Sequence, residues 1–197
     1  MMSPAEIAGF VLALAMVVCS IKELHWSWPL AIASSILYFF VFKDSLLYGE
    51  AGLQLVFAAL ACWGWWQWLR KGPDAQPVLR LQRLSARGWA WVVLSSAALW
   101  PALALMLEHF TDSDVAWWDA LPTALSLVGQ VLLGRKYLEN WLVWLVVNLI
   151  SVALFAHKAL WLTCVLYALF TVMSFWGWRA WQTRLPVSYT HLRAHET

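Results

Sequence analysis

Residues 119–151 read DALPTALSLVGQVLLGRKYLENWLVWLVVNLIS. Two apolar runs, 120–134 and 140–157, flank the charged turn that carries Arg135, Lys136 and Glu139. About 20 apolar residues cross a bilayer as a helix, with a range near 17–25. The second run is long enough as it stands, and the first becomes so by extending back through Asp119 to Trp117. Both runs are solidly apolar rather than alternating, unlike the strands of a membrane barrel. The stretch reads as two membrane-crossing helices joined by a basic turn.

Working outward, the same punctuation recurs. Stretches free of Asp, Glu, Lys and Arg also occupy 7–21, 24–42, 51–69, 88–107 and 159–178. Window 7–21 grows by taking in Pro4, Ala5 and Glu6, since proline and an acid suit a helix N-terminus. Its n-region has no Lys or Arg, so it reads as a mature span and not a signal peptide. The count is seven helices.

Composition agrees. Of 197 residues, 62% are hydrophobic and only 12% charged, with a mean hydropathy of +0.66. A soluble domain would carry roughly a quarter charged residues. Soluble enzyme, disordered tail, collagen-like rod and nucleic-acid binder are excluded as classes. Cys19, Cys62 and Cys164 fall inside apolar stretches without metal or redox spacing, and read as small core residues.

Seven crossings put the termini on opposite sides. One side collects Lys22, Arg70, Lys71, Arg80, Arg83, Arg87, Arg135, Lys136, Arg179, Arg184 and Arg193; the other holds Lys43 and Lys158. The positive-inside rule makes the first side cytoplasmic, with the N-terminus outside and the C-terminus inside. Glu108, Asp112 and Asp114 suit the outer loop, and tryptophans near span ends suit the interfacial belt. Segment 70–88 (RKGPDAQPVLRLQRLSARG) holds Arg80, Arg83 and Arg87 at helical spacing, which predicts a short helix on the anionic leaflet. The tail from Leu185 reads as translated vector sequence.

The chain repeats itself weakly. A shift of 116 places Glu23 on Glu139, Trp28 on Trp144 and Ser35 on Ser151. A shift of 113 places the WGWxxW run at 63–68 on that at 176–181. Spans 1–3 thus repeat as spans 5–7, and span 4 inverts the chain so that the units run parallel. The expected fold is an all-α membrane protein in a 3+1+3 arrangement. Its parts are a first repeat over 4–69, a linker with span 4 over 70–110, a second repeat over 115–182, and the tail 185–197. Parallel repeats are a transporter scheme that places substrate near mid-membrane between the units.

Polar groups mark where that site should be. Thr123, Ser126 and Gln130 share one face of span 5, and Trp141, Trp144, Asn148 and Ser151 share one face of span 6. At the shift of 116 the first-unit counterparts of Thr123, Ser126, Gln130 and Asn148 are the apolar Ile7, Phe10, Leu14 and Ile32, which predicts a polar wall facing an apolar one. Asn148 sits near the bilayer centre, where an unpaired amide costs several kcal/mol. Interhelical hydrogen bonding is the bland reading and a ligand site the sharper one. Gln54, Tyr38, Thr163 and Tyr167 complete the candidate ring. Asp119 and Glu139 read first as helix caps. No GxSxG, HExxH or Gly-rich phosphate loop is present, so the chain is not read as an enzyme or an ATP-driven pump, and no cofactor is expected.

The run from Asp119 through Thr123, Ser126 and Gln130 to Trp141-x-x-Trp144-x-x-x-Asn148-x-x-Ser151 resembles the PnuC vitamin transporters of bacteria. The first-half run from Trp28-Pro29-Leu30 through Leu46-Leu47-Tyr48 to Gln54 and Gly64-Trp65 resembles it too. The resemblance implies a SWEET-like fold that takes up nicotinamide riboside by facilitated diffusion across the bacterial inner membrane. It implies trapping by a cytoplasmic riboside kinase as functional partner, and leaves thiamine or riboflavin as other substrates. From the residues alone, a sugar transporter or a ligand-sensing scaffold, as monomer or homo-oligomer, stays open.

Overall fold

The structure, a computed structural model, describes residues 4–44, 48–72, 76–110, 116–157, 159 and 161–185. Among these the chain forms seven helices: α1 (Pro4–Ile21), α2 (Ser27–Asp44), α3 (Tyr48–Leu69), α4 (Ala86–Phe110), α5 (Ala116–Gly134), α6 (Asn140–His157) and α7 (Trp161–Arg184). Apart from two isolated bridges there is no strand among the described residues. Residues 46–47, 112, 114, 158 and 186–197, and the side chains of Ile7 and Glu50, lie outside the described ones. Every run selected by the absence of charge is a helix, because a backbone in hydrocarbon must satisfy its own hydrogen bonds. α4 and α6 are each long and apolar enough to cross a membrane. Outward side chains such as Val93 and Leu94 stay exposed, as a lipid-facing surface requires.

The internal register differs from the expected one. α2 and α6 begin at Ser27 and Asn140 and end at Asp44 and His157, an offset of 113 at both ends. The turns before them agree: Glu23 and Lys136, also 113 apart, both take φ 57°. Their backbone hydrogen bonds match in sequence, Glu23 N–H to Ser20 O and Lys136 N–H to Leu133 O, then Leu24 to Cys19 and Tyr137 to Leu132. The shift of 116 over the first two spans is therefore corrected to 113, the same as in the third. Matching identical letters across a gap had favoured the wrong register, whereas the turn geometry permits no gap. The counterpart of Asn148 is Ser35, not Ile32, and that of Trp141 is Trp28, which 116 had matched to Trp144.

Segment 76–85 forms no helix. Gln82 pairs with the α5–α6 turn in a short parallel bridge: its N–H donates to Lys136 O at 3.2 Å, and its carbonyl accepts from Leu138 N–H at 2.9 Å. Leu84 N–H donates to the Glu139 carboxylate at 2.9 Å. Leu81 enters the same buried cluster as Trp28, Trp141 and Trp181. Backbone pairing and one buried leucine thus outweigh the helical spacing of three arginines, and the expected surface helix is withdrawn. The Glu139 side chain anchors the linker instead of capping α6, and Ser85 caps α4 through the Gly88 N–H.

The basic end of the bundle is stitched together. Trp68 Nε1 on α3 donates to Leu133 O on α5 at 3.2 Å, and Trp181 Nε1 on α7 donates to Ile21 O on α1 at 3.1 Å. Glu23 accepts Lys136 Nζ at 3.0 Å and Arg184 Nη1 at 3.5 Å. Above this seam, the Trp28 ring lies directly on Gly64 of α3, and the Trp141 ring on Gly177 of α7. Glycine is required at both places because a Cβ would enter the ring.

Candidate functional site

A cavity of about 690 Å³ opens between the helices, and all seven contribute to its lining. That volume lies in the ordinary range of small-molecule sites. Trp28 and Trp141 lie at its basic end, 1% and 3% exposed, and neither indole N–H has a partner among the described residues.

From α5 the lining takes Asp119, Thr123, Ser126 and Gln130, and from α6 it takes Trp141, Trp144, Asn148 and Ser151. Helical spacing explains the convergence, since residues three, four and seven apart share a face. Pro122 lies inside α5, and the Ser126 hydroxyl donates to its carbonyl at 2.7 Å. Thr123 Oγ1 likewise donates to Asp119 O at 2.9 Å. These hydroxyls spend their protons on the helix backbone and keep oxygen lone pairs for a ligand. Asp119 is not an N-cap, because α5 begins earlier, at Ala116. Its carboxylate sits within the first turn, where the helix dipole favours a negative charge.

Asn148 is 5% exposed, and its Nδ2 donates to Ser174 Oγ on α7 at 3.1 Å. Ser174 Oγ in turn donates to Phe170 O at 2.8 Å. The amide is therefore held by a neighbouring helix while lining the cavity. Ser174 was not singled out in the sequence, since a lone serine in an apolar span carries no signal before its partner is known.

Gln54, Tyr167 and Phe170 also line the cavity. Tyr38 and Thr163 are not among its lining residues, and Tyr38 is 44% exposed on α2. The first unit is less apolar than expected. It supplies Ser20, Ser27, Ser34 and Ser35 beside Gln54. Both units offer hydroxyls and an amide, and at one register position Ser35 stands against Asn148. Among the cavity's described lining residues there is no Lys, Arg or His.

With this geometry, comparison with known proteins becomes informative. The family described as nicotinamide mononucleotide transporter matches residues 3–183. The chain belongs to that family. This transporter is 28% identical to the riboflavin/roseoflavin transporter RibM of Streptomyces davaonensis, over 91% of its own chain and 85% of the relative. It is 27% identical to the nicotinamide riboside transporter PnuC of Escherichia coli, over 74% of its own chain and 71% of the relative. The crystal structure of the vitamin B3 transporter PnuC shares the fold, with a TM-score of 0.70 and 24% identity over 89% of this chain and 79% of that one. The family consists of membrane transporters and not enzymes, so the cavity is read as a passage for a small molecule.

Proposed function

We propose that this transporter takes up nicotinamide riboside by facilitated diffusion, and that phosphorylation by a cytoplasmic riboside kinase traps it. The observation that carries the choice is the charge of the cavity lining. A mononucleotide brings a phosphate, which calls for Arg, Lys or a helix N-terminus with free N–H groups. The described lining offers neutral amides and hydroxyls, one carboxylate and several aromatic faces. That set suits a carboxamide, ribose hydroxyls and a flat pyridinium, whose cation–π attraction to an aromatic ring is worth about 0.5–2 kcal/mol. The residues we assign to substrate are Asn148, Gln130, Trp144, Trp141, Ser126, Thr123, Gln54 and Tyr167. Similarity to RibM over most of the chain supports riboflavin as the second reading.

The test is uptake into liposomes holding the purified protein. Labelled nicotinamide riboside should equilibrate without nucleotide and accumulate only when a riboside kinase and ATP are enclosed. Accumulation driven by a proton or sodium gradient would overturn the mechanism. Uptake of labelled riboflavin but not of labelled riboside would move the substrate to the second reading.

The architecture we assign is two parallel three-helix units, 4–69 and 115–182, joined by the linker and α4 over 70–110. The common offset of 113 supports it. In the bacterial inner membrane the N-terminus would lie outside, by the excess of Lys and Arg on the linker side. Single cysteines placed at Arg80 and at His109 test the orientation. Membrane-impermeant reagent added to intact cells should label the second only, and labelling of the first alone would reverse the topology.

A further inference from the structure

Asp119 is the only residue with a formal charge among the cavity's described lining residues. It stands in the first turn of α5. Phe155 is near the end of α6 and Tyr167 near the start of α7, and their rings lie 5.1 Å apart. Because α5, α6 and α7 run in alternating directions, these three line the same end of the cavity, far from the basic turns. A carboxylate there is supported by the helix dipole.

We propose that Asp119 is the charge-selecting residue of this cavity. It favours a ligand with a permanent positive charge on a flat ring over an uncharged ligand with the same substituents. The inference rests on the riboside reading and deepens it. Amides and hydroxyls recognise substituents, which the oxidised and reduced ribosides share. Aromatic faces accept both rings and prefer the cation modestly. A fixed carboxylate adds a Coulomb attraction only when the ring is charged, so selection by charge falls to Asp119.

Calorimetric affinities for nicotinamide riboside and for its dihydro form, which is reduced in the ring and uncharged, test this directly. The parent should bind the charged form about tenfold or more tightly, a preference of about 1.4 kcal/mol. Asp119→Asn should bring the two affinities to within roughly twofold, chiefly by weakening the charged form, while Asp119→Glu keeps the preference. A parent that binds both forms equally overturns the proposal without any variant. An Asp119→Asn protein that keeps the parent's ratio overturns it too, as does one that loses affinity for both forms alike. A parent that binds neither form while binding riboflavin overturns the substrate reading, and the charge assignment with it.

Discussion

Asn148→Leu is expected to weaken binding of nicotinamide riboside by roughly 5–150-fold, since losing a hydrogen bond to a buried polar group costs about 1–3 kcal/mol. The variant should still fold. Ser174 Oγ, the protein partner of the Asn148 amide, already donates to Phe170 O and loses only an incoming bond. Gln130→Leu should act similarly, because this side chain lines the cavity. Trp144→Leu should also weaken binding, through lost ring contact. Ser35→Asn sets a second amide at the register position of Asn148 and is the proper control, in place of any change at Ile32, which packs against the buried tryptophan cluster. Calorimetry on the purified variants decides. If Asn148→Leu and Gln130→Leu both bind like the parent, the two amides serve helix packing alone.

Gly177→Ala is expected to cost about 1–3 kcal/mol of stability, the usual range for overpacking a close-packed interior. The added methyl would overlap the Trp141 ring, which is buried and packs against Trp181 of α7. Gly64→Ala should cost a similar amount by striking Trp28. Melting temperatures would fall by about 2–4 °C per kcal/mol for a chain of this size. Gly177→Ala should also weaken ligand binding, because Trp141 lines the cavity and must move. Trp141→Phe in the Gly177→Ala background should recover much of the stability. A Gly177→Ala protein that melts like the parent would show that the ring is free to shift.

Helix number and placement were legible because charge is expensive in hydrocarbon, so 24–42 or 140–157 could be delimited by where charges stop. Most of the cavity face was legible as well, since spacing alone puts Thr123, Ser126 and Gln130 together, and Trp141, Trp144 and Asn148 together. What escaped depends on pairing between distant segments. Nothing local in residues 76–85 announces that Gln82 pairs with the Lys136 turn, or that Leu81 joins the tryptophan cluster. Tyr38 shares its face of α2 with the lining residues Ala31, Ser34 and Ser35, but it stands beyond the lining and is 44% exposed. The repeat register failed for a related reason. Weak identity cannot discriminate 113 from 116, while a left-handed turn residue at both 23 and 136 does so at once.

That register gives the bond between Glu23 and Lys136 a particular meaning. In the two-unit architecture proposed above the two residues hold one and the same place, and the bridge then joins a position to its own counterpart. Two copies of the first unit would set glutamate against glutamate, and two copies of the second would set lysine against lysine. Either pairing would repel. This closure is therefore open only to unlike halves: a chain built from one unit twice could share the fold, yet could not make this bond.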